Sequence, residues 1–322
     1  MKKWFVACLI LILCVLLPFV TNLYYKQILF YIFIFGGVGL AWNLVGGYAG
    51  QISLGHAVFF GIGAYSFALL APHTGVILGI VLAGLVSAIS AVPIGWICFR
   101  LRGPYFSLAT IAVAQLMNVL ATNQLKHWTQ GAAGLLVPNV VKNPDNYYWV
   151  ALGFAALAFG IVTRMATSKT GYYLMAIRED EDTAQTITVN TPLYKLYALI
   201  VSAFLTGIGG VVFAANLGSI QPNDVFGGAI SNQVVFLAIL GGAGTIYGPL
   251  VGAFILEFAS DYLKNSVGSL SFIGDPNAFA FFVYGLLIVL VVMFMPAGIV
   301  GTLENRWKRR VNYGIARVSR SQ

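Results

Sequence analysis

"QILFYIFIFGGVGLAWNLVGGYAGQISLGHAVFFGIGAYSFALL", Gln27 to Leu70, contains no Asp, Glu, Lys or Arg, and the uncharged stretch continues to Phe99. One crossing of the hydrocarbon core takes about 20 apolar residues, so this stretch holds more than one. Trp4 to Tyr25, Gly103 to Leu125 and Leu196 to Asn223 are further uncharged runs of spanning length. Across 322 residues the hydrophobic share is 59% and the charged share 9%, against roughly 25% charged in a soluble domain. The length alone would also suit two soluble domains. The runs are apolar all round, whereas barrel strands alternate at period two. The chain is therefore an all-α polytopic membrane protein with about 8–10 transmembrane helices.

Glycine, proline and polar clusters divide the runs into segments 4–20, 28–46, 54–71, 76–99, 104–122, 147–163, 194–215, 229–241, 246–264 and 278–295. Segments 54–71 and 229–241 are short or glycine-broken, which suits re-entrant as well as full crossings. Lys2 and Lys3 followed by a long apolar run without a small-x-small cleavage site read as a retained first helix, not a signal peptide. Cys8, Cys14 and Cys98 lack paired spacing and read as small apolar helix residues.

Charge supplies the orientation. If the N-terminus is cytoplasmic and all ten segments cross, fourteen cations fall inside: Lys2, Lys3, Arg100, Arg102, Arg164, Lys169, Arg178, Lys195, Arg306, Lys308, Arg309, Arg310, Arg317 and Arg320. Lys26, Lys126, Lys142 and Lys264 fall outside. This is a strong positive-inside bias, and it places both termini in the cytoplasm. Residues 1–303 then form one transmembrane domain, and 304–322 a basic tail beside anionic lipid instead of a nucleic-acid site.

The same topology makes about 164–193 a cytoplasmic loop, longer than a connection needs. It holds all but the end of "EDEDTAQTITVNTPLYK", Glu179 to Lys195, which has four of the chain's ten acidic residues. Asp180 and Asp182 suit the first turn of a short helix, where carboxylates meet the positive end of the dipole. Thr191-Pro192 suits the start of the next span. A plain solvated loop explains the composition equally well.

Nine of the 28 residues from Gly36 to Gly63 are glycine. Glycine lets membrane helices approach closely, as G-x-x-x-G pairs such as Gly46/Gly50 and Gly248/Gly252 would. It also permits unwound segments around a solute path. Asn43, Gln51, His56, Gln115, Asn118, Asn216, Gln233 and Glu257 lie in or at the ends of apolar runs, where polar groups face a bundle interior. Of these, Asn43, Gln51, His56, Gln115, Asn118 and Glu257 are candidates for the path, with interhelical hydrogen bonds as the competing reading for Asn and Gln. Glu257 with Asp261 and Lys264 suits a local polar face just as well. Trp42, Trp96, Trp128, Trp149 and Trp307 sit near span ends and read as interfacial belts. The sequence has no G-x-x-x-x-G-K-[ST] phosphate loop, no His/Cys cluster at metal spacing and no nucleophile–base constellation, so it offers no catalytic centre.

"AWNLVGGYAGQISLGHAVFFGIGAYSFALL", "RGPYFSLATIAVAQLMNVLATNQLKHWTQGAAGL", "IREDEDTAQTITVNTPLYKLYALIVSAF", "LAILGGAGTIYGPLVGAFIL" and "MPAGIVG" follow one another in that order. Together they resemble the permeases of branched-chain amino acid ABC importers over about Leu40 to Gly301. The "RGPYF" segment is similar to that of one of the family's two homologous permease subunits. The resemblance implies a second permease chain, two cytoplasmic ATPase subunits that hydrolyse ATP, an external solute-binding protein, and no cofactor in this chain. It implies that the acidic loop docks in an ATPase cleft, through Glu179, Asp180, Glu181, Ala184, Asn190 and Lys195. The family often has glycine where Thr188 stands, which bears on the turn geometry. Urea or short amides are related solutes. A self-contained secondary transporter or channel, with Glu257 coupling an ion, is the reading from a different class; an integral-membrane enzyme comes third.

Overall fold

The computed structural model describes residues 14–19, 21–186, 189–267 and 297–304, with single positions between 282 and 295. Segment 4–20 lies outside the described residues apart from its last turn, segment 278–295 apart from isolated positions, and the tail beyond Glu304 entirely. Cys8, Thr188 and Trp307 fall there too.

The described chain is helical. α1 spans Leu23–Asn43 and continues through a π turn, Leu44–Tyr48; α2 is His56–Thr74 and α3 Val76–Cys98. α4, Pro104–Val119, ends in a second π turn, Leu120–Gln124, and α5 is Tyr147–Ala166. Two shorter helices follow, α6 at Lys169–Glu179 and α7 at Glu181–Thr186, before α8 at Thr191–Leu217. α9, Pro222–Phe226, α10, Gly228–Gly241, and α11, Gly248–Val267, complete the set used below. Among the described residues seven units are long and apolar enough to cross a membrane: α1, α2, α3, α4, α5, α8, and α9 with α10. α11 is of spanning length at 20 residues but carries Glu257, Asp261 and Lys264. Segment 229–241 is thus the second part of a broken helix, and segment 54–71 is part of an unbroken one.

α1 is the axis of the molecule. From Ile28 to Ala49 every residue but Tyr31 is buried. α5, α8, α10 and α11 pack around it, while α2, α3 and α8 form a second group beside them. Close contact depends on glycine where backbones meet. A Cβ on Gly63 of α2 would lie 2.2 Å from the Gly207 carbonyl oxygen of α8, and one on Gly210 would lie 2.1 Å from that of Phe60. Of the two G-x-x-x-G pairs, Gly248/Gly252 does make a seam, against Leu237 and Gly241 of α10. Gly46/Gly50 does not: Gly46 is covered by the Trp42 ring one turn earlier, and Gly50 lies against Arg178.

α3 shows how an outer helix is read. Gly79, Ala83, Ser87, Ala91, Gly95 and Cys98 are buried on one stripe, while Ile77, Val81, Leu85, Ile89, Val92 and Trp96 face outward. Small residues inward and large ones outward are the expected arrangement where lipid is no worse a solvent than another side chain. Trp96, Trp128 and Trp149 are exposed near span ends, as a belt requires. Trp42 departs from that reading. It is buried, and its indole N–H donates to the Ser53 carbonyl at 2.7 Å, because the chain after α1 turns back alongside it.

Contacts sort the connections into two ends. At one end Arg102 bonds Asp182, Arg178 bonds the Gly47 carbonyl, and Asn43 bonds the 242–247 turn. At the other, Lys26 lies 3.9 Å from Asp145, Tyr24 bonds Asp261, and Leu135–Leu136 pairs antiparallel with Ser219–Ile220. This division is the one the alternating spans require of the helices described.

Candidate functional site

The long loop between α5 and α8 is built of two helices where the sequence suggested one. Asp180 is extended between them (φ −158°, ψ 111°). Its Oδ1 accepts from the backbone N–H groups of Asp182 at 2.9 Å and Thr183 at 3.0 Å, starting α7. These bonds, that of Thr183 foremost, hold the Asp180 carboxyl below its ordinary pKa. Asn190 starts α8 in the same manner, its side chain accepting from Leu193 N–H at 3.3 Å. Pro192 occupies the first turn, as Thr191-Pro192 suggested.

The six expected docking residues differ in exposure, with Glu181 between the extremes at 17%. Glu179, Asp180 and Asn190 are exposed. Ala184 and Lys195 are interior, a correction to reading them as surface for a partner. The Ala184 methyl belongs to an apolar cluster with Leu174, Ile177, Val189 and Leu199. Lys195, 1% exposed, places its ammonium 2.6 Å from Glu181 Oε1 and 5.4 Å from the centre of the Phe99 ring. Thr191 donates to the same Glu181 oxygen at 3.3 Å, and Gln185 donates to Thr191 at 2.9 Å. A charged side chain is tolerated so deep because its partner and a hydroxyl satisfy it. α7 is thereby fastened to the first turns of α8. Its exposed side consists of Asp182, Thr183, Gln185 and Thr186.

α6 is fastened elsewhere. Arg178 Nη1 donates at 2.7 Å to the Gly47 carbonyl in the α1 π turn. Four residues before Gly47, Asn43 uses both ends of its amide on the α10–α11 turn: Nδ2 donates to Thr245 O at 2.8 Å, and Oδ1 accepts from Gly244 N–H at 2.7 Å. A cavity of about 270 Å³ opens beside this turn, lined by Arg178, Ile239, Gly244, Thr245, Gly298 and Glu304 among others.

The six candidate path residues do not form one constellation. Asn43 and His56 are fully buried within the chain. His56 lies between Ser53 Oγ at 3.0 Å and Ser202 Oγ at 2.9 Å, so it braces the turn after α1 against α8. Gln51 is half-buried in the irregular stretch 49–55, the unwound segment that the glycine content allowed. Gln115 is exposed on α4, and Asn118, on the same helix, donates to Asn223 at 2.9 Å. Glu257 accepts from Gln233 of α10, and Asp261 from Tyr24 of α1. Both carboxylates reach across to other helices; the Lys264 side chain of the expected polar face lies outside the described residues. Sequence reading missed Arg178 and Ser202 as partners, since nothing in local spacing announces contacts over more than a hundred residues; it missed Ser53 although that residue stands only three before His56. Among the described residues no three His, Cys, Asp or Glu side chains gather as a metal site.

A bundle of helices of spanning length, with a two-helix loop pinned at one end and a broken helix beside it, defines a multi-pass membrane protein. The family described as branched-chain amino acid transport system / permease component matches residues 24–292, and the chain belongs to it. The high-affinity branched-chain amino acid transport system permease protein LivM of Salmonella typhimurium is 28% identical, over 92% of this chain and 75% of its own. LivM of Escherichia coli is 27% identical over the same shares. LivH of Escherichia coli, from the same kind of system, is 27% identical over 83% of this chain and 91% of its own. No solved structure matches.

Proposed function

We propose that this chain is one permease subunit of an ATP-driven importer for branched-chain or related hydrophobic amino acids. It pairs with a homologous second permease, receives solute from an external binding protein, and is driven by two cytoplasmic ATPase subunits that hydrolyse the ATP. Urea or a short amide is the variant solute. The observation that carries the reading is the loop of α6 and α7. It presents exposed polar residues beyond the spans and is joined to the membrane helices by a buried ion pair, so a push on it moves α8. The positive-inside count supports a cytoplasmic position for this end and for both termini. The exposed residues Glu179, Asp180, Asp182, Gln185 and Asn190 supply the contact, while Glu181, Ala184 and Lys195 hold its shape from inside. The exposed stripe of α4 around Gln115 and Asn118 offers the polar part of the solute path. No cofactor is assigned to this chain.

The test is reconstitution of the chain with its second permease and ATPases in vesicles. Uptake of leucine should require ATP, the binding protein and this chain, and a crosslinker at Gln185 should capture an ATPase. Uptake that persists without the ATPases and collapses with an uncoupler would instead mark a secondary transporter.

A further inference from the structure

We propose that Arg178 and Asn43 are positioning residues of a transmission joint. The joint carries displacement of α6 through the π turn of α1 to the α10–α11 turn; the inference rests on the loop being the element an ATPase moves. A helix end leaves carbonyls without intrahelical partners, and a cation near a C-terminus can satisfy them. Arg178 does so at Gly47, at 2.7 Å, from a different segment of the chain. Asn43, in the same last turns of α1, is bonded at both amide ends to the backbone of Gly244 and Thr245. The α10–α11 turn is itself tied: Thr245 Oγ1 donates to the Gly242 carbonyl at 2.7 Å and accepts from Gly248 N–H at 3.0 Å, the first residue of α11. These bonds, joined by the α1 backbone between Asn43 and Gly47, link α6 to the start of α11.

Two features make this a joint and not merely a contact. First, it has no slack. A Cβ on Gly47 would lie 1.8 Å from Asn43 Oδ1 and 2.4 Å from Gly244 N, and one on Gly244 would lie 2.3 Å from Arg178 Nη1. The Gly47 and Gly244 backbones meet directly, with the Asn43 amide and the Arg178 guanidinium packed against them, so displacement of either side chain presses on both backbones. Second, it has somewhere to go. The cavity of about 270 Å³ is lined by Arg178, Gly244 and Thr245 themselves, so the joint borders open space. A π turn carries one residue more than an α turn and occurs mostly at functional positions, which suits an element with two arrangements. A pathway claim needs a measured coupling and not adjacency alone.

The experiment uses the reconstituted complex and reads leucine transported per ATP hydrolysed. Arg178 is exposed, so Arg178→Gln leaves core packing intact. The ratio should fall about tenfold, the order expected from losing one charge-assisted hydrogen bond. Arg178→Lys, which keeps a cation able to donate, should recover most of it. Asn43→Ser should lower the same ratio, and the double variant should fall no further, because both residues act on one line. An unchanged ratio in Arg178→Gln, or transport and hydrolysis falling in proportion, overturns the joint. Failure of the wild-type complex to show any leucine-stimulated hydrolysis would sink the importer reading itself, a separate result.

Discussion

Glu181 and Asp182 are neighbours in α7, and each meets a cation, yet the two pairs differ in nearly everything else. Lys195 and Glu181 are 2.6 Å apart with side chains 1% and 17% exposed; Arg102 and Asp182 are 2.9 Å apart with side chains 59% and 74% exposed. Contact distance therefore says little about what a pair contributes. The inner pair has lost its water and depends on its partner, on Thr191 and on Phe99. The outer pair can exchange its partner for water at little cost. Within two residues the loop has one group that fixes its shape and one left free to meet another surface.

The largest effect should come from breaking the inner pair. Lys195→Ala leaves Glu181 buried with only Thr191, and removing one partner of a buried pair costs about 3–5 kcal/mol. Thermal unfolding of the purified chain in detergent should show that loss. Replacing both groups together, Lys195→Met with Glu181→Leu, should recover much of it, since no charge is then stranded. A loss in Lys195→Ala no greater than that of Arg102→Ala would erase the contrast between the pairs.

Next is Ala184→Arg. In a surface contact this change would act only when an ATPase is present. Here the methyl is buried in the apolar cluster that includes Leu174, Ile177 and Leu199, so the new side chain overfills it, which costs about 1–3 kcal/mol before its charge is counted. α7 should come away from α8 in the chain alone, seen as faster protease cleavage between Glu179 and Asn190. Wild-type cleavage in the isolated chain, with a defect only in the complex, would return Ala184 to the partner's surface.

What was legible in the sequence follows the same division between pattern and partner. Uncharged runs gave the spans, and Thr191-Pro192 gave the start of α8, because both depend on local chemistry. Hydropathy did not separate core from rim. The most apolar windows of α1 and α3 are both suited to crossing, yet 94% of one is buried against 33% of the other. The difference is visible only in where small residues fall, as in the Gly79-to-Cys98 stripe. Ala184 and Lys195 enter the docking set through the family resemblance, and a resemblance matched position by position does not say which side chains turn inward. Asn43 and His56 stand out in the sequence as polar groups within apolar runs, and both are buried. Their partners, Gly244, Thr245 and Ser202, lie too far along the chain for any spacing rule to supply.

Asp180 gives a smaller, pH-dependent effect. Its folded pKa is lowered from an ordinary 3.8 by the N–H groups it caps. The ionised carboxylate therefore favours the folded loop fully above that value, and its contribution fades as pH falls below it and through the lowered one. Amide exchange at Asp182 and Thr183, corrected for the intrinsic effect of pH, should quicken across that acid range. Asp180→Asn, which can cap without titrating, should remove the pH dependence. A wild-type protection that stays flat into strong acid would show that the cap does not hold α7.

The smallest effect belongs to the outer pair, and it is the sharpest test of the comparison. Arg102→Ala should change the stability of the isolated chain by about 0–1 kcal/mol, as exposed pairs do, because each charge recovers its hydration when the other leaves. Whatever change is seen should shrink further in high salt, since screening acts on exposed charges first. Thr183 and Gln185 lie on the same exposed side of α7 as Asp182, so an ATPase seated there would strip water from this pair. The same substitution should then matter more in the assembled complex than in the chain alone, and its salt dependence should weaken. Unfolding of Arg102→Ala, measured with and without the ATPases at low and high salt, gives four values that decide the matter. A loss well above 1 kcal/mol in the isolated chain would mean that Arg102 and Asp182 are already part of the fold. An equal, salt-sensitive loss in both states would mean that no partner covers this side of α7.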